Sequence, residues 1–208
     1  MADALIQAAC NNDLDTVKSL IQKGVNVNST DMYSHTALMY ASRDNHLEIV
    51  QFLIKSGADV NISTSSGVTA LGHAVIANRL NVVRVLIRSG VKINATNHFG
   101  DTILHLAIIY MRSDIIKYLV HSGANIYVMD SEGVNAKTAA ANYGYGYIQR
   151  YLSHVEMTDI IIALSPLELS PYVLLWILQW VTQFQDREQL WALRLIEGIQ
   201  RSRRKNKR

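Results

Sequence analysis

Seven histidines, one cysteine and seventeen carboxylates are the side chains of this 208-residue chain best suited to hold a metal or move a proton. The histidines stand at 35, 46, 73, 98, 105, 121 and 154, without a metal-like pair on one helix turn. Cys10 alone cannot supply the thiolates of a structural zinc site, so no metal or other cofactor is expected. No glycine-rich phosphate loop follows a strand, and neither a nucleophile elbow nor an HExxH helix occurs. Catalysis has no residue to work through, and the chain is expected to be neither an enzyme nor a receptor for a small-molecule substrate. The lone cysteine also excludes an intramolecular disulfide framework, which fits a reducing compartment.

The elements around these residues must be helical. Hydrophobic residues make up 49% of the chain and charged residues 18%, enough apolar surface for a sizeable core. The two prolines, Pro166 and Pro171, come late, so ring geometry interrupts no helix before them. The N-terminal MADALIQAACNNDLD has acidic residues and no long apolar stretch, so a secretory leader is not expected. The most apolar window, residues 172–181, is far shorter than the roughly 20 residues of a membrane span. The tail contributes Arg201, Arg203, Arg204, Lys205, Lys207 and Arg208, more positive charge than the net +3, so the remainder is acidic.

An internal repeat organises the first three quarters. Gly24, Gly57, Gly90 and Gly123 recur at 33 residues, as do Ala8, Ala41, Ala74, Ala107 and Ala140, and Leu20, Leu53, Leu86, Leu119 and Leu152. Each series has a physical reason. The glycine follows an apolar-periodic helix where a left-handed cap is needed. The alanine lets neighbouring helices approach closely. The leucine lies on the apolar face of segments such as LEIVQFLI (47–54) and LNVVRVLI (80–87). Thr36, Thr69 and Thr102 precede the shorter helix as N-caps. Segments rich in Asn, Asp, Ser and Gly, such as 58–67, supply the turns. One unit reads turn, short helix, longer helix.

These residues resemble the ankyrin repeat. The closest stretches are TALMYA (36–41) with LEIVQFLIKSGADVN (47–61), and DTILHLA (101–107) with IIKYLVHSGANI (115–126). Ala37, Ala70 and Ile103 replace the family's proline, and only His105 keeps its histidine. The copy after Gly123 departs further, with Asn135 for threonine, Lys137 for leucine, and GYGY at 144–147. The resemblance implies an all-α solenoid of about five helix-turn-helix repeats, near 1–28, 29–61, 62–94, 95–127 and 128–153, followed by a C-terminal helical extension. It also implies protein binding at the turn tips and exposed inner-helix positions. Here those are Met32, Tyr33, His35, Ser65, Ser66, His98, Phe99 and Asp101 at the tips, and Arg43, Ile76 and Ile109 on the inner helices. The apolar members would make a recognition patch, against the alternative of ordinary surface hydrophobes.

The period stops after Ser153. Residues 154–200 hold PYVLLWILQWV, apolar around most of a helix, and a second apolar-faced helix from about 186 to 201. Two readings stand: a cap on the solenoid, or a docking module. LSPYVLLWILQWV resembles the opening of an F-box, through Leu169, Pro171, Leu174, Leu175, Ile177, Leu178 and Val181, which implies docking on a Skp-type adaptor and cullin. The tail, 201–208, reads as a nuclear import signal, a binder of anionic surfaces, or cations complementing a helix C-terminus. No recognition helix precedes it, so sequence-specific nucleic-acid binding is not expected. The expected function is a cytoplasmic or nuclear adaptor for a protein partner. The alternatives are a substrate receptor of a cullin-type ubiquitin ligase and a nuclear regulator imported by its tail.

Overall fold

The computed structural model describes residues 2–164. These form ten helices and, among the described residues, no strand beyond isolated bridges that close three of the tips. The helices are α1 (Ala2–Cys10), α2 (Leu14–Gln22), α3 (Ala37–Asp44), α4 (Leu47–Lys55), α5 (Ala70–Ile76), α6 (Leu80–Arg88), α7 (Ile103–Ile109), α8 (Ser113–His121), α9 (Ala136–Asn142) and α10 (Gly146–Leu164). The all-α repeat architecture is thus as the periodicity implies. Two compact units divide the chain, Met1–Gly146 and Tyr147–Arg208. In the second, α10 is described; it runs unbroken past Ser153, with Ile148 and Leu152 buried.

Within the first unit, the odd-numbered helices pack in sequence, α1 on α3, α3 on α5, α5 on α7 and α7 on α9, and the even-numbered helices form a second layer. Ala8, Ala41, Ala74, Ala107 and Ala140 are all buried at the inner-helix contacts, where a methyl group is as much as the approach allows. Leu53, Leu86 and Leu119 are fully buried on the outer helices. Each contributes about 1.5–3 kcal/mol relative to exposure. Leu20 is a correction to the series: it is half-buried, because among the described residues α2 has a packed outer neighbour on one side alone, α4.

The helix ends obey the capping chemistry of their residues. Thr36 accepts a hydrogen bond from the Met39 amide at 3.3 Å and Thr69 from the Gly72 amide at 3.4 Å. Asn135, a departure in sequence, does the same job for the Thr138 amide at 3.0 Å. At the other end, Gly57 sits at φ +89°, and the Ala58 amide returns to the Leu53 carbonyl at 3.0 Å.

A second left-handed series escaped the sequence reading. Asn12, Asn45, Asn78, Met111 and Gly144 all have φ between +55° and +73° and link the inner helix to the outer one. After each, the next amide donates to the carbonyl of the buried alanine: Asp13 to Ala8, His46 to Ala41, Arg79 to Ala74, Arg112 to Ala107 and Tyr145 to Ala140, at 2.8 to 2.9 Å. The alanine series is therefore an anchor for the turn as well as a packing contact.

Candidate protein-binding surface

Two further rows of hydrogen bonds tie repeat to repeat and fix the face that carries the tips. Asn28, Asn61 and Asn94 accept from the amides of Asp59, Lys92 and Asn125, each in the following repeat, at 2.8 to 2.9 Å. His46, Arg79 and Arg112 reach back to carbonyls of the preceding inner helix, those of Ala9, Arg43 and Ile76, at 2.7 to 2.9 Å. One histidine and two arginines at one register position thus make one kind of staple.

The tips themselves are tight loops pinned by their first residue. The Asp31 carboxylate accepts from the Tyr33 and His35 amides, Asn97 from Phe99 and Asp101, and Asp130 from Glu132 and Val134, all at 2.8 to 2.9 Å. The Val134 amide is the leading reason that the Asp130 carboxyl stays below its ordinary pKa. The last three tips also join through the main chain. The His98 amide donates to the Ser66 carbonyl at 3.4 Å, and the Ser131 amide to the Phe99 carbonyl at 3.0 Å. Such closeness needs glycine, because a Cβ on Gly67 would lie 2.9 Å from Asn97 Cα, and one on Gly100 would lie 2.7 Å from the Ser131 nitrogen. The first tip has Ser34 in that place, and among the described residues no backbone bond joins it to the tip at 64–68.

On this frame, the residues expected to bind fall into two groups. Met32 (86% exposed), Tyr33 (63%) and Phe99 (64%) project into solvent, as do Ser65, Ser66 and His98. His35, Ile76, Asp101 and Ile109 are half-buried. Ile76 and Ile109 share a register with Cys10, Arg43 and Asn142, and the next position adds Tyr110 and Tyr143, both exposed.

His35 serves as part of a wall. Its ring lies 5.3 Å from Tyr40 and 5.2 Å from His73, with Tyr33 edge-on at 6.5 Å. Arg43 is held by its sequence neighbour: Nε and a terminal nitrogen donate to the Asp44 carboxylate at 2.9 and 2.8 Å, and its guanidinium stacks 4.9 Å over the Tyr40 ring. Tyr40 donates its hydroxyl to Asp31 at 2.8 Å. That bond, with burial and the Asp31 charge, pushes the phenol up to about 12. Burial presses His73 down to about 4, helped by His35 and Arg43. Burial also raises the Cys10 thiol.

Tyr40 and Asp44 have no role in the sequence reading and His73 enters it only as a candidate metal ligand, although the 33-residue register places Tyr40 and His73 in line with Leu106. Asp130, Glu132 and Tyr143 were missed as well. With Asp101 and Ile109 they line a recess of about 120 Å³ beside α7 and α9. Among the described residues no group of three or more His, Cys, Asp or Glu side chains is placed to hold a metal.

A family model of ankyrin repeats in three copies matches residues 5–97 and again 62–130, together more than half of the chain. The chain belongs to the ankyrin-repeat family. Ankyrin repeats are protein-interaction modules, generally non-catalytic, and partners of this chain are proteins in that general sense. No curated protein matches the chain at a significant level. The ankyrin match ends at residue 130, and the F-box-like residues Leu169, Pro171, Leu174, Leu175, Ile177, Leu178 and Val181 lie outside both it and the described residues. So does the basic tail at 201–208. No helix among the described residues is long and apolar enough to cross a membrane.

Proposed function

We propose that this ankyrin-repeat chain is a non-catalytic adaptor that holds a protein partner on the face made by its tips and inner helices. One observation carries the reading. Met32, Tyr33, Phe99 and Tyr110 are exposed on the same side as the half-buried Ile76 and Ile109. Aromatic and large apolar side chains grouped on one face are the anchors that protein interfaces use. A cytoplasmic or nuclear setting belongs to the same proposal.

Photocrosslinking in cells tests it. A benzophenone side chain at Tyr33 or Phe99 is expected to trap a protein partner, and one at Arg88, on the outer helix α6, is not. Equal trapping at Arg88, or none at Tyr33 and Phe99, defeats the proposal.

A further inference from the structure

The apolar floor of this face is bordered by charge of one sign. Residues 31–35, 64–68, 97–101 and 130–134, the four tips, contain Asp31, Asp101, Asp130 and Glu132 and no lysine or arginine. Arg43 is paired with Asp44, and Arg79 and Arg112 donate to main-chain carbonyls at the ends of α3 and α5, away from the tips. The imbalance is sharpest in the last two repeats. There the recess of about 120 Å³ has Ile109 as apolar lining, Tyr143 as an aromatic wall, and Asp101, Asp130 and Glu132 as its acids. Asp130 is held ionised by the amides of its own loop, and the Glu132 side chain is exposed.

We infer that the groove beside α7 and α9 receives a lysine or arginine of the partner, with apolar residues next to it in the partner's sequence lying on Ile76, Ile109 and Phe99. This rests on the adaptor reading above. A carboxylate-lined recess attracts the cation, the tyrosine ring can stack on it, and the isoleucines accept its aliphatic stem and neighbours. The same acids repel phosphates and acidic segments, so the partner is a basic-apolar protein segment and not a nucleic acid.

Selection of a phage-displayed random peptide library on the immobilised full-length protein provides the test. Enriched peptides are expected to carry a lysine or arginine beside apolar residues. A synthetic copy should bind with strong salt dependence, and roughly tenfold more weakly to the double variant Asp101→Asn, Glu132→Lys. That variant keeps an oxygen at 101 for the Asn97 amide and should melt as the parent does. Enriched peptides without a basic residue, displaced by Ile76→Asp with Ile109→Asp, overturn this inference and leave the adaptor face intact. Peptides indifferent to both pairs of substitutions, or no enrichment over a blank surface, overturn both.

Discussion

His105 Nε2 stands 3.0 Å from the main-chain carbonyl of Val134, in the following repeat. Its Nδ1 faces the Thr102 amide at 3.2 Å, and an amide can only donate, so Nδ1 is the acceptor and Nε2 carries the proton. One buried imidazole, 2% exposed, thereby closes its own helix start and fastens the next tip. His105→Ala is expected to lose about 2–4 kcal/mol, since it removes a buried side chain and leaves a carbonyl and an amide unpaired. Urea unfolding checks this; a loss under 1 kcal/mol would contradict the bridge.

Gly100 and Gly90 separate two roles of glycine. Both have positive φ, but a Cβ at Gly90 meets nothing within 4 Å, while one at Gly100 collides with the backbone at 130–131. Gly90→Ala is expected to cost about 1 kcal/mol of conformational strain. Gly100→Ala should cost clearly more, on the order of 2–3 kcal/mol, and weaken protection of the Ser131 amide in hydrogen exchange. Equal costs would remove the tip-to-tip contact from the account.

His73 predicts an acid sensitivity. Its folded pKa, about 4, lies below the ordinary 6.5, because burial, then His35 and Arg43, disfavour the cation, with Asp44 opposing. The unfolded chain takes up the proton first as pH falls. Stability is therefore full above about pH 6.5 and declines toward pH 4, by at most about 3 kcal/mol. Asp31 and Asp44, whose pKa values are lowered from 3.8, lose their contribution only at more acid pH. His73→Leu should flatten thermal melts between pH 7 and 4.5; an unchanged slope would refute the assignment.

Gly72 occupies the place that His105 takes one repeat later. A Cβ there would lie 2.7 Å from Val68 Cγ1, so Val68 has filled the space a side chain would use. Gly72→Ala alone is expected to give little or no gain despite alanine's better helix propensity. In a Val68→Ala background the same change should stabilise by about 1 kcal/mol. Equal effects in the two backgrounds would rule out the trade of volume.

The fold was legible because its main determinants repeat as identities: the alanine, leucine and glycine series each name one residue type for one job. The left-handed turns were not, because Asn12, Asn45, Asn78, Met111 and Gly144 satisfy one φ with three residue types. The repeat-to-repeat staple was hidden for the same reason, as histidine and arginine can both reach a carbonyl. On the proposed binding face, exposure at the tips followed from turn chemistry. The surroundings of His35 and Arg43 did not, because Tyr40 and His73 meet them only after two inner helices are laid side by side.

The main-chain bonds between the later tips make the row of tips unequally connected. From Ser66 to Ser131 one main-chain bond joins each tip to the next, at His98 to Ser66 and at Ser131 to Phe99. The loop bearing Met32 and Tyr33 stands apart, with Ser34 where glycine would have let it join. Phe99 and Glu132 thus sit on tips tied to each other through the main chain, whereas Met32 and Tyr33 sit on a loop braced from within its own repeat, by Asp31 and Tyr40.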